Sequence, residues 1–299
     1  MAATTAAASA PAERAQYDIA VSDITYLRHP TGDLQMRLFQ PKGAGPFPIM
    51  IDLHGGAWCT GDRGNDTKLN EALARSGVVV AALDFRMPPV AGYPASLQDA
   101  NYAIRWLKAR AASLNARADK VGAIGISSGG HQAMLLGLRP RDARYAALPL
   151  DGAGSLDARL QAVVLCWPVV DPLGRYRYGK ALQASGGTYP EQIDRVLPSH
   201  DAYWGNEEAM AEGAPANALE AGAAVELPPV LVVQGSADKM HPRDQLERFV
   251  TAYGKRGGTV EVSLYDDEVE GFLLRAFAHA ENVTAGTERV IAFVHQHLG

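Results

Sequence analysis

The chain of 299 residues lacks most of what marks a metal-binding, nucleic-acid-binding or membrane protein. Its two cysteines, Cys59 and Cys166, are far apart and fit no metal-ligand spacing. No dense run of lysine and arginine occurs, and the net charge is -5. No apolar run approaches the ~20 residues of a membrane-spanning helix. We therefore expect no metal, no nucleic-acid partner and no membrane partner, with two reduced thiols that suit the cytoplasm.

The N-terminal residues 1–12 are rich in Ala, Thr and Ser but have neither a basic region nor a Leu/Val-rich run. This composition predicts a disordered tail over 1–16 rather than a signal peptide. In the whole chain 47% of the residues are hydrophobic, enough to fill a sizeable core. We therefore predict a single domain over 17–299.

Short apolar runs alternate with helical patterns from about residue 47, which predicts an α/β fold with a mostly parallel central sheet flanked by helices. Ahead of them, 17–26 and 34–39 alternate apolar with polar residues around a Thr31-Gly32-Asp33 turn, as in an antiparallel hairpin. The segment 171–226 breaks the rhythm, and we predict that it is an inserted lid of short helices. The predicted core strands are 48–53, 78–83, 121–126, 160–167, 230–234 and 259–265.

The pentapeptide Gly125-Ile126-Ser127-Ser128-Gly129 follows one of these strands and precedes a helical stretch. A strand, a tight turn and a helix are the context of a nucleophile elbow, which makes the Ser127 hydroxyl the candidate nucleophile. An ordinary strand-to-helix turn is the alternative interpretation.

A second motif, His54-Gly55-Gly56-Ala57-Trp58, comes directly after the strand at 48–53. Glycines let the backbone approach a substrate carbonyl, so the amides of Gly55, Gly56 and Ala57, with that of Ser128, are candidate donors of an oxyanion hole. We expect His54 to hold the loop.

With these two motifs, the stretches Asp84-Phe85-Arg86, Tyr93-Pro94-Ala95 and Gln234-Gly235-Ser236-Ala237-Asp238 resemble the hormone-sensitive-lipase-like and bacterial feruloyl-esterase-like α/β-hydrolases. The resemblance covers nearly everything after residue 20. It implies the α/β-hydrolase fold, Ser127 as nucleophile and Asp238 as the acid that orients the base. By the same analogy a homodimer is possible. Helix capping is the alternative interpretation of Asp238.

The catalytic histidine of these families stands just before a Gly-Phe or Ala-Phe pair, and here Glu270 occupies that position. Glu270 could act as the base beside Asp238, because two adjacent carboxylates share a proton and one pKa rises. Alternatively the histidine is lost, which would leave a ligand-binding protein on a hydrolase scaffold, as in the gibberellin receptor of plants.

Other histidines could replace the missing one. His279 is the preferred substitute base, and His241 beside Pro242 is interpreted as a turn residue. The remaining candidates are His200 in the lid and His295 and His297 near the C-terminus.

The sequence thus predicts a cofactor-independent serine hydrolase of short or aromatic carboxylic esters, with a small-molecule ester as its partner. Arylformamidase or amidase activity is the nearest alternative, because the same serine and oxyanion loop suit both. Aromatic side chains near the motifs and in the lid indicate an apolar acyl or aryl pocket, although a core position is the other interpretation. The candidates for that pocket are Trp58, Trp167, Tyr203, Trp204 and Phe272.

Overall fold

The computed structural model describes residues 15–152, 154–275 and 278–299. Of the predicted tail, residues 1–14 lie outside the described residues. One eight-stranded sheet runs through the chain, in the order β1-β2-β4-β3-β5-β6-β7-β8. Its strands are β1 (Ile19–His29), β2 (Gly32–Pro41), β3 (Phe47–Leu53), β4 (Val79–Leu83), β5 (Ala116–Ile126), β6 (Val163–Cys166), β7 (Val230–Gly235) and β8 (Val260–Tyr265).

The pairing confirms the predicted mixture of an antiparallel hairpin and a parallel sheet. Strands β1 and β2 pair antiparallel, β2 joins β4 antiparallel, and all later pairings are parallel. Strands β3, β4, β6 and β7 are buried along their whole length, as expected of apolar runs covered on both faces. Strand β1 is instead largely open to solvent: residues 20–23 are all exposed, and of its residues only Tyr26 is buried.

Helices cover both faces of this sheet. The helix that begins at Ala95 ends at Arg110 and continues as a short 3-10 turn. The helices are α1 (Thr67–Arg75), α2 (Ala95–Arg110), α3 (Ser128–Leu138), α4 (Pro172–Ala184), α5 (Gln192–Trp204), α6 (Glu207–Glu212), α7 (Pro215–Glu220), α8 (Arg243–Lys255) and α9 (Ala280–Leu298). The 3-10 turns are Ala111–Leu114 and Phe272–Leu274.

The segment between β6 and β7 contains the four short helices α4 to α7. Helix α5 packs its buried face on the loop after β3, where Trp58 stacks on Tyr203 at 5.4 Å between ring centroids. Because β3, β5 and β7 are parallel, the loops after their carboxyl ends meet at one edge of the sheet, beneath this insertion.

Candidate active site

Ser127 lies on the sharp turn between β5 and α3. Its backbone has φ 52° and ψ -113°, a conformation that L residues rarely adopt. The turn closes only around glycine: a Cβ on Gly125 would lie 2.3 Å from the carbonyl oxygen of Gly129, and a Cβ on Gly129 would lie 1.8 Å from that of Leu53. The pentapeptide therefore has the geometry of a nucleophile elbow, with the serine side chain held away from the sheet.

A histidine lies against the Ser127 hydroxyl, and it is His241. The Ser127 Oγ is 3.1 Å from His241 Nε2, and His241 Nδ1 is 2.9 Å from Asp238 Oδ2. The Asp238 Oδ1 accepts hydrogen bonds from the backbone amides of Met240 and His241 at 2.8 and 3.1 Å. Gln234 donates its side-chain amide to the carbonyl oxygen of His241 at 2.9 Å. A serine, an imidazole and a carboxylate thus form one hydrogen-bonded chain.

The electrostatics of this chain keep Asp238 ionised, so that it can orient the imidazole. Burial raises the pKa of Asp238, but the pairing with His241 and the two backbone hydrogen bonds outweigh it, so the net pKa lies below its ordinary value. Asp238 is therefore an anion at neutral pH, and it accepts a hydrogen bond from the Nδ1–H group of His241. That tautomer leaves the lone pair of Nε2 facing Ser127, the arrangement of a general base.

The structure differs from the sequence-based choice of Glu270 as the base. Glu270 lines the same cavity as Ser127, but among the described residues no hydrogen bond joins it to Ser127 or Asp238. The alternative, His279, lies at the start of α9 with a 59% exposed side chain, and its Nδ1 contacts Glu268 at 2.9 Å. His241 follows the acid by only three residues, so its interpretation as a turn residue missed its side-chain role.

The loop after β3 packs closely against Ser127, the candidate nucleophile. A Cβ on Gly55 would lie 3.4 Å from the Ser127 Cβ, and one on Gly56 would lie 2.0 Å from the carbonyl oxygen of Thr60. Gly56 has φ 117°, a value that favours glycine. Gly56 is therefore required for this loop conformation, whereas a Cβ on Gly55 would be tight only against the carbonyl oxygen of Ile126, at 3.1 Å.

The backbone donors of the predicted oxyanion hole are available. Trp58 donates its amide to Ser128 Oγ at 3.1 Å and so ties the loop to the elbow. Among the hydrogen bonds of the described residues, none uses the amides of Gly55, Gly56, Ala57 or Ser128. Three of these amides come from the loop and one from the first residue of α3, the two places where hydrolases of the elbow type supply such donors.

His54 is a support of this loop. Its ring stacks on Phe85 with 4.3 Å between centroids, and Nδ1 lies 2.7 Å from the carbonyl oxygen of Gly55. Burial lowers the pKa of His54. The neutral ring therefore donates to the loop, as the sequence predicts.

A cavity of about 330 Å³ opens beside Ser127. Of the five aromatic residues predicted to line the pocket, only Trp167 lines this cavity. Trp58, Tyr203 and Trp204 instead pack on one another and are buried, because their rings join the loop after β3 to helix α5. Phe272 is buried behind Trp167. The lining residues are Gly55, Gly56, Asn65, Asp66, Ile126, Ser127, Trp167, Glu270, Gly271, Leu274 and Arg275.

A family model for BD-FAE matches residues 36–253, which is most of the chain and includes Ser127, Asp238 and His241. The chain belongs to the BD-FAE family. The part outside the match holds β1, β8, α9 and Glu270, so the cavity extends beyond the family's shared region.

Known proteins that resemble this BD-FAE member carry esterase names. It is 28% identical to the esterase LipC of Mycobacterium tuberculosis over 69% of this chain and 48% of LipC. It is 25% identical to the carboxylic ester hydrolase LipN of the same organism over 95% of this chain and 72% of LipN. The chain thus spans about half the length of LipC.

Among solved structures, the esterase Est2 of Thermogutta terrifontis with bound propionate superposes with a TM-score of 0.70. The two proteins share 22% identity over 96% of each chain. This similarity confirms the α/β-hydrolase fold. Within the described ranges of the BD-FAE protein, none of the helices has the length and apolarity that crossing a bilayer requires.

Sequence reasoning missed a pair of buried carboxyl groups at the cavity. Asp66 lines it at the start of α1, and Asp52 lies behind on β3; both are 2% exposed. Burial raises the pKa of each, and in Asp66 the neighbouring Asp52 raises it further. A polar residue inside the otherwise apolar run of β3 was the available sequence signal.

Proposed function

We propose that this protein is a serine hydrolase that cleaves short or aromatic carboxylic esters through an acyl-enzyme on Ser127. The observation that carries the proposal is the chain from Ser127 Oγ to His241 Nε2 at 3.1 Å and from His241 Nδ1 to Asp238 Oδ2 at 2.9 Å. Serine is a poor nucleophile alone, and an oriented imidazole is the group that activates it.

In the proposed reaction, Ser127 Oγ attacks the ester carbonyl carbon while its proton passes to His241 Nε2. The carbonyl oxygen becomes an oxyanion and accepts hydrogen bonds from unused amides among Gly55, Gly56, Ala57 and Ser128. The intermediate collapses with cleavage of the carbon-oxygen bond, and the imidazolium returns the proton to the departing alcohol. A water molecule then repeats the sequence on the acyl-enzyme, releasing the carboxylic acid and free Ser127. Asp238 remains ionised and stabilises the imidazolium throughout.

The dimensions and lining of the cavity support a small substrate. A volume of about 330 Å³ lies at the lower end of ligand sites, and Ile126, Trp167 and Leu274 provide apolar surface. The bound propionate of Est2 and the esterase names of LipC and LipN agree with short carboxylic esters.

His241 replaces Glu270 as the proposed base. This assignment also removes the premise of the ligand-binding alternative, which rested on the absence of an imidazole from the site. Amide hydrolysis uses the same atoms as ester hydrolysis, so matched esters and anilides of one acid have to be compared to distinguish the two activities.

The test measures hydrolysis of 4-nitrophenyl acetate and butyrate and of the corresponding anilides, for the parent protein and Ser127→Ala. We expect the parent to prefer the esters and Ser127→Ala to lose at least ~1,000-fold in kcat/KM. A fluorophosphonate should label Ser127 stoichiometrically. Ester hydrolysis by Ser127→Ala at the parent's rate, or labelling of another residue, would refute the proposal.

A further inference from the structure

Asp66 has no evident structural reason to be an aspartate. It occupies the N-cap position of α1, where an aspartate normally accepts a hydrogen bond from a backbone amide, but its side chain makes no such bond. Instead, Asp66 is one of the residues that line the Ser127 cavity. A polar side chain that is 2% exposed and does not serve its helix needs another explanation.

The two oxygens of Asp66 have different surroundings. The Oδ2 atom is sealed from solvent and has no hydrogen-bond donor near it if every carboxyl group is ionised. Asp66 nevertheless lines the cavity, and only its Oδ2 is sealed. The oxygen that faces the cavity is therefore Oδ1.

Asp52 explains the sealed oxygen. Its Oδ2 accepts the side-chain amide of Asn70 at 2.6 Å, whereas its Oδ1 is buried and also lacks a donor. The two carboxyl groups are neighbours, since each shifts the pKa of the other. Both sealed oxygens can be satisfied if the two groups share one proton between them. Asp66 therefore presents a neutral carboxyl group to the cavity, with Oδ1 as a free carbonyl-type acceptor.

A neutral acceptor suits this place in the site. The unused amides of Gly55 and Gly56 line the same cavity and are the proposed partners of a developing oxyanion. A carboxylate in that position would oppose the negative charge, whereas a protonated one adds an acceptor without a charge.

We propose that Asp66 is a specificity-determining residue whose Oδ1 accepts a hydrogen bond from a hydroxyl group of the substrate near the ester bond. The inference rests on the proposed ester hydrolysis and names its substrate class, hydroxyl-bearing carboxylic esters. A site built to bind a hydroxyl discriminates against the analogue without one, because the buried acceptor is then left unpaired.

The test compares kcat/KM for two pairs of esters that differ only in a hydroxyl group. One pair carries it on the acyl group, as 4-nitrophenyl 3-hydroxybutyrate and butyrate, and the other on the alcohol, as glycerol monobutyrate and propyl butyrate. We expect the parent to prefer the hydroxylated member of at least one pair. Asp66→Leu should lower that preference about tenfold. Asp66→Asn should retain it, because its amide donates to Asp52 and leaves a carbonyl oxygen in the cavity.

Asp62→Leu is the matched control, since Asp62 is exposed on the preceding turn and does not line the cavity. Its preference should equal that of the parent. If Asp66→Leu does not fold, as judged by its circular dichroism, Asp66→Ala takes its place. An unchanged preference in the folded Asp66 variant, or a loss in Asp66→Asn equal to that in Asp66→Leu, would overturn the proposal.

Calorimetric binding of 3-hydroxybutyrate and butyrate to the same proteins separates this inference from the proposed function. A preference for the hydroxy acid that disappears in Asp66→Leu, in a protein that hydrolyses no ester, would refute the hydrolase and keep the hydroxyl site. Ester hydrolysis abolished by Ser127→Ala, with no hydroxyl preference in turnover or binding, would keep the hydrolase and refute the hydroxyl site.

Discussion

His241 Nδ1 lies 2.9 Å from Asp238 Oδ2, and the two residues are only three positions apart on the turn after β7. Asp238 closes that turn by accepting the amides of Met240 and His241 through Oδ1, and it accepts the imidazole through Oδ2. The candidate acid and base are therefore positioned by one short segment. The turn is also tied to the loop after β8, because Ala237 donates its amide to the carbonyl oxygen of Glu268 at 2.9 Å.

The base assignment predicts a sharp contrast between substitutions of His241 and of Glu270. His241→Gln removes the only imidazole that contacts Ser127 within the described parts of the chain, and we expect kcat/KM on 4-nitrophenyl butyrate to fall at least ~1,000-fold. Glu270→Gln should change kcat/KM by no more than severalfold, because among the described residues Glu270 makes no hydrogen bond to Ser127, His241 or Asp238. Steady-state kinetics of both purified variants decide between them. Loss of activity in Glu270→Gln, with activity retained in His241→Gln, would restore Glu270 as the base.

The elbow and the loop after β3 could be predicted because their signals are local. Both Gly125 and Gly129 are fixed by contacts within the turn or with the adjacent strand, and the strand before each motif is a clear apolar run. The histidine that contacts Ser127 could not be predicted in this way, because the contact depends on which loop returns to the serine. The family's motif pointed to the loop after β8, whereas the contact comes from His241 on the turn after β7. The three-residue spacing of Asp238 and His241 predicts that contact only when the conformation of the turn is known.

Four of the five aromatic candidates do not line the cavity beside Ser127, for a related reason. Composition indicates that Trp58, Tyr203 and Trp204 are near the site but not which way the rings point. In the structure they pack on each other, and Trp58 Nε1 donates to His131 Nδ1 at 3.2 Å, so the rings turn away from the cavity.

Trp58→Phe tests that orientation. The substitution keeps an aromatic ring but leaves His131 Nδ1 buried without its donor, so we expect the free energy of unfolding to fall by about 1–3 kcal/mol. The KM for 4-nitrophenyl butyrate should remain within about twofold, a change of ~0.4 kcal/mol, because the side chain does not line the cavity. Urea unfolding and initial rates are the measurements. A large rise in KM with unchanged stability would return Trp58 to the substrate pocket.

Two glycine-to-alanine substitutions test whether the elbow has room for a side chain. Gly129 lies in the elbow, and Gly254 is a control on the surface of α8. In Gly129→Ala the new Cβ would lie 1.8 Å from the carbonyl oxygen of Leu53, a backbone atom that has little freedom to move. We expect a loss of stability of more than about 2 kcal/mol, together with lower activity. In Gly254→Ala, inside α8, the Cβ meets no atom within 4 Å, and alanine should stabilise by roughly 0.4–1 kcal/mol. Equal unfolding free energies for the two variants would contradict the proposed constraint.

The proton shared by Asp52 and Asp66 predicts a pH dependence of stability with a definite sign. Burial raises the folded-state pKa of Asp66 above its ordinary value of 3.8, so between that value and the raised pKa the folded protein holds a proton that the unfolded chain has released. This contribution to stability is complete below the ordinary pKa and is lost as the pH rises through the raised one.

The variant Asp66→Asn tests this dependence. It cannot titrate, and its amide supplies the hydrogen bond to Asp52 at every pH. The unfolding free energy of the variant relative to the parent should therefore increase between about pH 5.5 and 7.5 by up to ~2.7 kcal/mol, since one proton corresponds to about 1.36 kcal/mol per pH unit. Urea unfolding of both proteins at the two pH values measures this difference, in which the titration of groups that do not interact with Asp66 or Asp52 cancels. A relative stability that stayed constant or decreased with pH would show that Asp66 is not protonated in the folded protein.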